Sequence, residues 1–256
     1  MACPASHVLP QAKRLTEGAA KGKAIHAFLE AASRHGRDAA LADVPEDYRI
    51  ACEAIDLSAL PVGAQWASEV ALAWDWQGDT ARELGRNLGR AYPERTPTEF
   101  SGTADVLGLT PDLVIVPDYK SGHSAVPRAR DNQQLRLLAL AAARAYGRSQ
   151  AQVALVWIPE DGGPPRWDTA TLDALDLDLA AAEFRGLVKR LGAESPSIVE
   201  GEHCRYCPAL ASCPPKLSLL HATCESPDKS LPPTITAENA AAAYVRLRQV
   251  ETVVSA

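Results

Sequence analysis

Basic charge is what this chain has too little of to grip an anionic polymer over its whole surface: 26 lysines and arginines against 32 aspartates and glutamates leave a formal net charge of −6. Phosphate binding needs local positive charge, so any such contact here is confined to a groove. Long apolar runs are also missing, and none approaches the length of a membrane span. The opening MACPASHVLPQ lacks the basic n-region and apolar h-region of a secretory leader. The expectation is a cytoplasmic protein without membrane association. Aromatic residues are scarce at 5%, but 46% hydrophobic and 23% charged residues are ordinary for a globular chain and exclude wholesale disorder. A length of 256 residues suits one main domain with a small appendage. In a reducing compartment the six cysteines are metal ligands or buried thiols rather than disulfides.

The stretch that organises the chain is Gly102 to Lys120, GTADVLGLTPDLVIVPDYK. Leu113 to Val116 is a short, largely β-branched apolar run behind a Thr-Pro-Asp turn signal, and a β-leaning segment precedes the turn. This predicts an antiparallel hairpin closed at Thr110 and Pro111. Alternation then sends Asp118 and Lys120 to one face and Tyr119 to the other, and a turn near Pro111 sets Asp105 within a residue or two of Asp118. Two carboxylates and an ammonium converge. Carboxylate oxygens are the hard donors that Mg²⁺ or Mn²⁺ prefer, and a lysine beside such an ion orients water and offsets phosphate charge.

Around the hairpin the pattern continues. Ala24, Ile25, Phe28, Leu29 and Ala32 repeat at helical spacing, with His26 beside that face, and a further helix is expected from about Pro45 to Ile55, with Cys52 as a small buried hydrophobe. Val70, Leu72, Trp74 and Trp76 alternate as a strand headed by Glu69. Arg82, Arg86 and Arg90 recur every four residues between Thr80 and Tyr92, which would line a helical face, solvated or turned toward phosphate. A helix opens near Asp131, with Gln134 in its first turn and Leu135, Leu138, Ala139, Ala142 and Tyr146 on its apolar side. Arg128 and Arg130 sit in the loop before it, and His123 in the same loop reads as solvated. Ala151 to Ile158 is a strand buried on both faces, EDGGPPRW a turn region, and Leu175 to Leu191 an amphipathic helix.

Asp105, then Asp118-Tyr119-Lys120, then Gln134-Leu135 at a helix start resembles the PD-(D/E)XK nuclease superfamily. The spacing is similar to its RecB-like branch, which includes CRISPR-associated exonucleases with an iron-sulfur cluster. An isolated D-x-K carries no information; the ordered set does. The resemblance runs from Cys3 to about Lys216. It implies an α/β fold with a restriction-endonuclease-like α-β-β-β-α-β core, a mixed central sheet flanked by helices, and a small cysteine-cluster appendage. The element order read from periodicity agrees. Gly22 and His26 match a G-x-x-x-H that places its histidine at the metal site, and Glu69 is a candidate additional ligand, balanced against a solvated strand end. The implied catalytic set is His26, Asp105, Asp118, Lys120 and Gln134, with Mg²⁺ or Mn²⁺ on His26, Asp105, Asp118 and Glu69. Arg128, Arg130 and Gln134 are the candidate nucleic-acid contacts. Leu138 stands where the family usually has a tyrosine.

GEHCRYCPALASCPPK brings Cys204, Cys207 and Cys213 within ten residues, a spacing that points to a metal without saying which. The resemblance supplies Cys3 as a fourth ligand and implies a [4Fe–4S] cluster. Zinc on the same three with His203 or Cys224 is the alternative. The expected domains are 1–216, a nuclease domain closed by the cluster segment, and 217–256, a linker and a C-terminal helix over 235–254. The expected function is metal-dependent hydrolysis of DNA, single-stranded or with ends, by an exonuclease of recombination, repair or phage- and CRISPR-related processing. Helicase, recombination or CRISPR proteins would be its partners. A non-catalytic nucleic-acid-binding module with a cluster or zinc is the alternative, and it would be expected to have lost an acid or the lysine.

Overall fold

The computed structural model describes residues 3–11, 17–55, 63–89, 91–121, 126–159, 164–201, 203–204, 207–225 and 236–254. Two compact units emerge, one formed by Thr16–Arg185 and the other by Met1–Leu15 with Gly186–Ala256.

The larger unit is a six-stranded mixed sheet with helices against it. Its strands are β1 (Gln65–Asp75), β2 (Thr80–Arg86), β3 (Glu99–Leu109), β4 (Leu113–Ser121), β5 (Gln150–Ile158) and β6 (Arg166–Leu172), in spatial order β2-β1-β3-β4-β5-β6. Only β4 and β5 run parallel; every other neighbouring pair is antiparallel. A parallel pair needs a crossover. It is α4 (Gln133–Ala145), capped where the Asn132 side chain accepts the Leu135 N–H at 3.1 Å. Before the sheet come α1 (Glu17–His35), α2 (Arg37–Ala42) and α3 (Glu46–Glu53), and after it α5 (Ala174–Leu191).

Alternation along the strands gives the sheet two apolar faces. Val70, Leu72, Trp74, Val114, Val116, Val153 and Leu155 pack with Leu135, Leu138 and Ala142 of α4 and with Leu177 and Phe184 of α5. On the other face Tyr119, Val156 and Ile158 pack with Ile25, Phe28 and Leu29 of α1 and with the fully buried Cys52 of α3. Helices on both faces leave β5 with apolar residues on each side, as its continuous run requires.

Two strands depart from the sequence reading. Thr80–Arg86 is β2, not a helix. Side chains four apart share a face on a strand as well as on a helix, so the arginine spacing could not separate the two. Arg82 is paired with Glu99 at 2.9 Å and Arg86 with Glu83 at 2.8 Å, and Arg90 lies outside the described residues. Arg166–Leu172 is β6, where a turn was expected at its start; it is an edge strand with little apolar content.

The β3–β4 turn is held by Thr110, whose Oγ1 accepts the N–H of Leu113 at 3.0 Å and of Asp112 at 3.3 Å. Paired residues are Gly108 with Ile115 and Leu109 with Val114, and there the ladder stops. Gly108 has a steric reason: a Cβ there would stand 2.6 Å from the Trp66 ring. Gly108→Ala should therefore cost about 1–3 kcal/mol in urea unfolding, and adding Trp66→Ala should recover part of that loss. An alanine variant as stable as the parent would show that the ring has room to move.

Candidate active site

Extending the hairpin register three residues beyond Gly108 and Ile115 sets Asp105 opposite Asp118, on the side where the two strands have stopped pairing. Asp105 is 10% exposed in its side chain and Asp118 5%. Each has one oxygen, Oδ2, that is buried with no hydrogen-bond partner. The Asp118 atom is nonetheless ion-paired, with the Lys120 Nζ at 2.7 Å, so among the described residues it is the Asp105 Oδ2 that is left without a partner. The other Asp118 oxygen accepts from Gln134 Nε2 at 3.2 Å. Asp105 Oδ1 lies 3.0 Å from His26 Nδ1. Alternation along β4 is as expected: Lys120 reaches Asp118 while Tyr119 is buried against α1.

Glu69 joins the same side. The ligand atoms of His26, Glu69 and Asp105 all lie within 4.8 Å of one another, and Asp118 is not part of that trio. A backbone irregularity accompanies this placement. Glu69 has φ +49°, the left-handed region that side chains rarely adopt, at a cost of about 1–3 kcal/mol. On β1, Ala67 and Val70 both meet the α4-side core, and on β3, Ala104 and Leu107 do the same. A spacing of three in a period-two strand means that both strands slip phase at the same level. Ser68 pairs with Val106 and Val70 with Ala104, so Glu69 and Asp105 are the two residues left between.

The electrostatics follow from this crowding. Asp118 is held above the usual carboxylate range mainly by burial; Lys120 pulls it back, and the charge on Asp105 pushes it further up. His26 is raised above its ordinary 6.5, first by the hydrogen bond to Asp105 and further by the charges of Asp105, Asp118 and Glu69, with burial opposing. Negative charge in excess of its counter-charges, presented by hard oxygens of which one, Asp105 Oδ2, is buried without a partner among the described residues, suits a divalent cation of the Mg²⁺ or Mn²⁺ type.

Of the other residues expected near the site, Arg130 shares its charge with Asp176 at 2.6 Å and donates to the Thr171 carbonyl at 3.3 Å, tying the short 3-10 turn Ala129–Asp131 to β6 and α5. Arg128 is exposed. His123 lies outside the described residues. Leu138 is buried in the core on the α4 side of the sheet. Sequence reasoning had no signal for the left-handed bend at Glu69, because φ has no sequence pattern at a non-glycine residue.

The family model for the PD-(D/E)XK nuclease superfamily matches residues 1–214. The chain belongs to that superfamily. Its members generally hydrolyse phosphodiester bonds, typically with Mg²⁺ or Mn²⁺. A solved structure described as "Crystal structure of SSO0001" aligns over 82% of this chain and 92% of its own at 16% identity, with a TM-score of 0.35, a likeness too low to argue from. No curated protein sequence matches the chain.

The second unit holds Cys3, Cys204, Cys207 and Cys213. Cys3, Cys204, Cys207 and Cys213 line one pocket together with Leu9, Ile198 and Leu210, although 194 positions separate Cys3 from Ser197. The ends are joined by hydrogen bonds: the Ala5 N–H to the Ser197 carbonyl at 3.2 Å, the Val199 N–H to Cys3 Sγ at 3.4 Å and the Ser212 hydroxyl to the Pro10 carbonyl at 2.6 Å. Burial pushes the Cys213 thiol up, the Lys216 N–H lowers it, and Cys204, Cys207 and Cys3 raise it again. Among the described residues, no three of these cysteines and His203 have ligand atoms all within 4.8 Å of one another. The Cys224 side chain lies outside the described residues. After Cys213 come α6 (Pro214–Glu225) and α7 (Ala240–Val254); no described helix is long and apolar enough to cross a membrane.

The His26–Asp105 pair makes a pH-dependent contribution to folding. A histidine with a raised folded-state pKa holds its proton more tightly when folded, so the stabilisation is full below about pH 6.5 and is lost as pH rises through the folded-state pKa. In chelator, the melting temperature of the parent should exceed that of His26→Gln by more at about pH 5.5 than at about pH 8.5. An advantage that is the same at both pH values would mean that folding leaves the imidazole's proton affinity unchanged.

Proposed function

We propose that the protein is a Mg²⁺- or Mn²⁺-dependent deoxyribonuclease of the RecB-like branch, acting on single-stranded DNA or DNA ends, in recombination, repair or the processing of foreign DNA. The observation that carries this reading is the buried pair Asp105 and Asp118, with Asp105 Oδ2 unpartnered among the described residues and Asp118 Oδ2 held against the Lys120 ammonium. Asp105, Asp118, His26 and Glu69 would hold the metal. When bound, the metal supplies Lewis acidity toward the scissile phosphate and lowers the pKa of water. Lys120 offers its ammonium on the surface side, 27% exposed, where it can orient a water and offset charge developing on phosphate. Gln134 steadies the orientation of Asp118 through its 3.2 Å hydrogen bond. His26, bonded to Asp105 through Nδ1, keeps that carboxylate aimed.

End-labelled single- and double-stranded DNA, incubated with Mg²⁺, Mn²⁺ or chelator, tests this directly. Cleavage should require the ion. Asp118→Ala should lower the rate at least about 100-fold, and Lys120→Ala comparably with DNA binding retained. Undiminished cleavage by both variants, in preparations free of other nucleases, would sink the assignment.

For the cysteines the same reading is a [4Fe–4S] cluster on Cys3, Cys204, Cys207 and Cys213. Zinc bound at about 2.3 Å by each sulfur would draw the thiolates to about 3.8 Å from one another. What favours iron and sulfide over zinc is the resemblance to cluster-bearing relatives, together with the four cysteines lining one pocket. Its work would be structural, joining the start of the chain to the segment after α5. Protein purified without oxygen should contain iron and acid-labile sulfide, and Cys3→Ser should cost both colour and solubility while Cys52→Ala keeps its colour. Stoichiometric zinc without sulfide would replace the cluster, and a brown Cys3→Ser protein would mean another fourth ligand.

A further inference from the structure

Lysine is almost never buried unless something negative accompanies it. Lys216 is 5% exposed. Its ammonium is paired with Glu200, whose side chain is 51% exposed, so water screens the partner far more than the lysine. Among the described residues that pair alone leaves the buried charge under-compensated. The position of the pair suggests the remainder. Glu200 lines the pocket of Cys3, Cys204, Cys207 and Cys213, and Lys216 follows Cys213 by three residues. Pro214 and Pro215, which open α6, have no N–H. The first backbone donor of the helix is therefore Lys216, bonded to the Cys213 carbonyl at 3.0 Å. One residue thus gives its amide to Cys213 and its ammonium to Glu200 on the pocket wall.

We propose that Lys216 is the internal counter-cation of the metal centre held by the four cysteines, a positioning residue whose charge offsets that of the thiolates. The inference rests on reading those cysteines as metal ligands. Four thiolates leave the centre negatively charged whether it holds zinc or a [4Fe–4S] core. A positive charge fixed nearby keeps the sulfurs deprotonated and bound, and in an iron-sulfur centre it also favours the reduced state. Glu200 holds the ammonium in place and competes with the centre for it.

The test uses the full chain purified without oxygen, as parent, Lys216→Met, Lys216→Arg and Glu200→Gln. Iron, sulfide and zinc per chain are measured first, then the rate of metal loss to a chelator. Lys216→Met should lose metal about 10-fold faster or more, Lys216→Arg should stay close to the parent, and Glu200→Gln should keep its metal. If iron is present, the Lys216→Met centre should also be harder to reduce. Should Lys216→Met fail to fold, Lys216→Gln makes the same comparison. Metal loss at the parental rate in the neutral variant, or equal loss in Glu200→Gln, overturns the inference, the latter by showing that only a broken ion pair matters. A parent whose four cysteines hold no metal overturns the underlying reading instead. Zinc in place of iron, with the same dependence on charge at residue 216, supports the inference and corrects only the metal.

Discussion

Two carboxylates taken out of water near each other repel and lose hydration at once, and the architecture of the larger unit answers that cost. Asp105 and Asp118 stand where β3 and β4 have parted, and each counter-group comes from a different element. His26 comes from α1, on one face of the sheet, and Gln134 from α4, on the other. Lys120 comes from β4 itself. The helices therefore do more than cover apolar strands. Each also delivers one polar side chain to the gap between the two acids. The compensation remains partial, since the carboxyl of Asp118 is still raised, and a partly compensated acidic site has affinity for a cation.

Strand geometry supplies the other half. In a regular strand Glu69 would share the face of Ala67, which meets the α4-side core, where a carboxylate has no place. The phase slip shared by β1 and β3 takes Glu69 and Asp105 off that face together, and the left-handed backbone at Glu69 accompanies it. Strain located at a site of converging charge is a common trade between stability and function. At the far end of β1 the charges are paired instead: Asp79 accepts from the Trp74 indole at 2.9 Å and pairs with Arg144 at 3.2 Å and Arg185 at 3.4 Å.

Much of this was legible beforehand, for physical reasons. The hairpin announced itself by β-branched residues and a Thr-Pro-Asp turn, and from its alternation the sides of Asp118, Tyr119 and Lys120 followed. The α1 and α4 stripes were legible because a 3.6-residue period over many residues is hard to mimic. β2 was not, because Arg82 and Arg86 fit either period, and β6 was not, because an exposed edge strand carries little apolar pattern. The partners of charged side chains were out of reach of a one-dimensional reading: Arg130 meets Asp176, 46 positions away, and no local pattern announces such a pair. The meeting of Cys3 with the late cysteines was reachable only through family resemblance.

The single parallel pair has a consequence in time. β3 and β4 are joined by a tight turn and can pair early, with both aspartates still hydrated. β4 and β5 must wait until the whole of α4 has closed the connection between them, a slower, non-local event. The two acids are thus fully desolvated only when α1 and α4 have both docked. The chain meets that desolvation cost in the same step that packs α1 and α4 onto the sheet, so the apolar burial that outweighs it arrives with it.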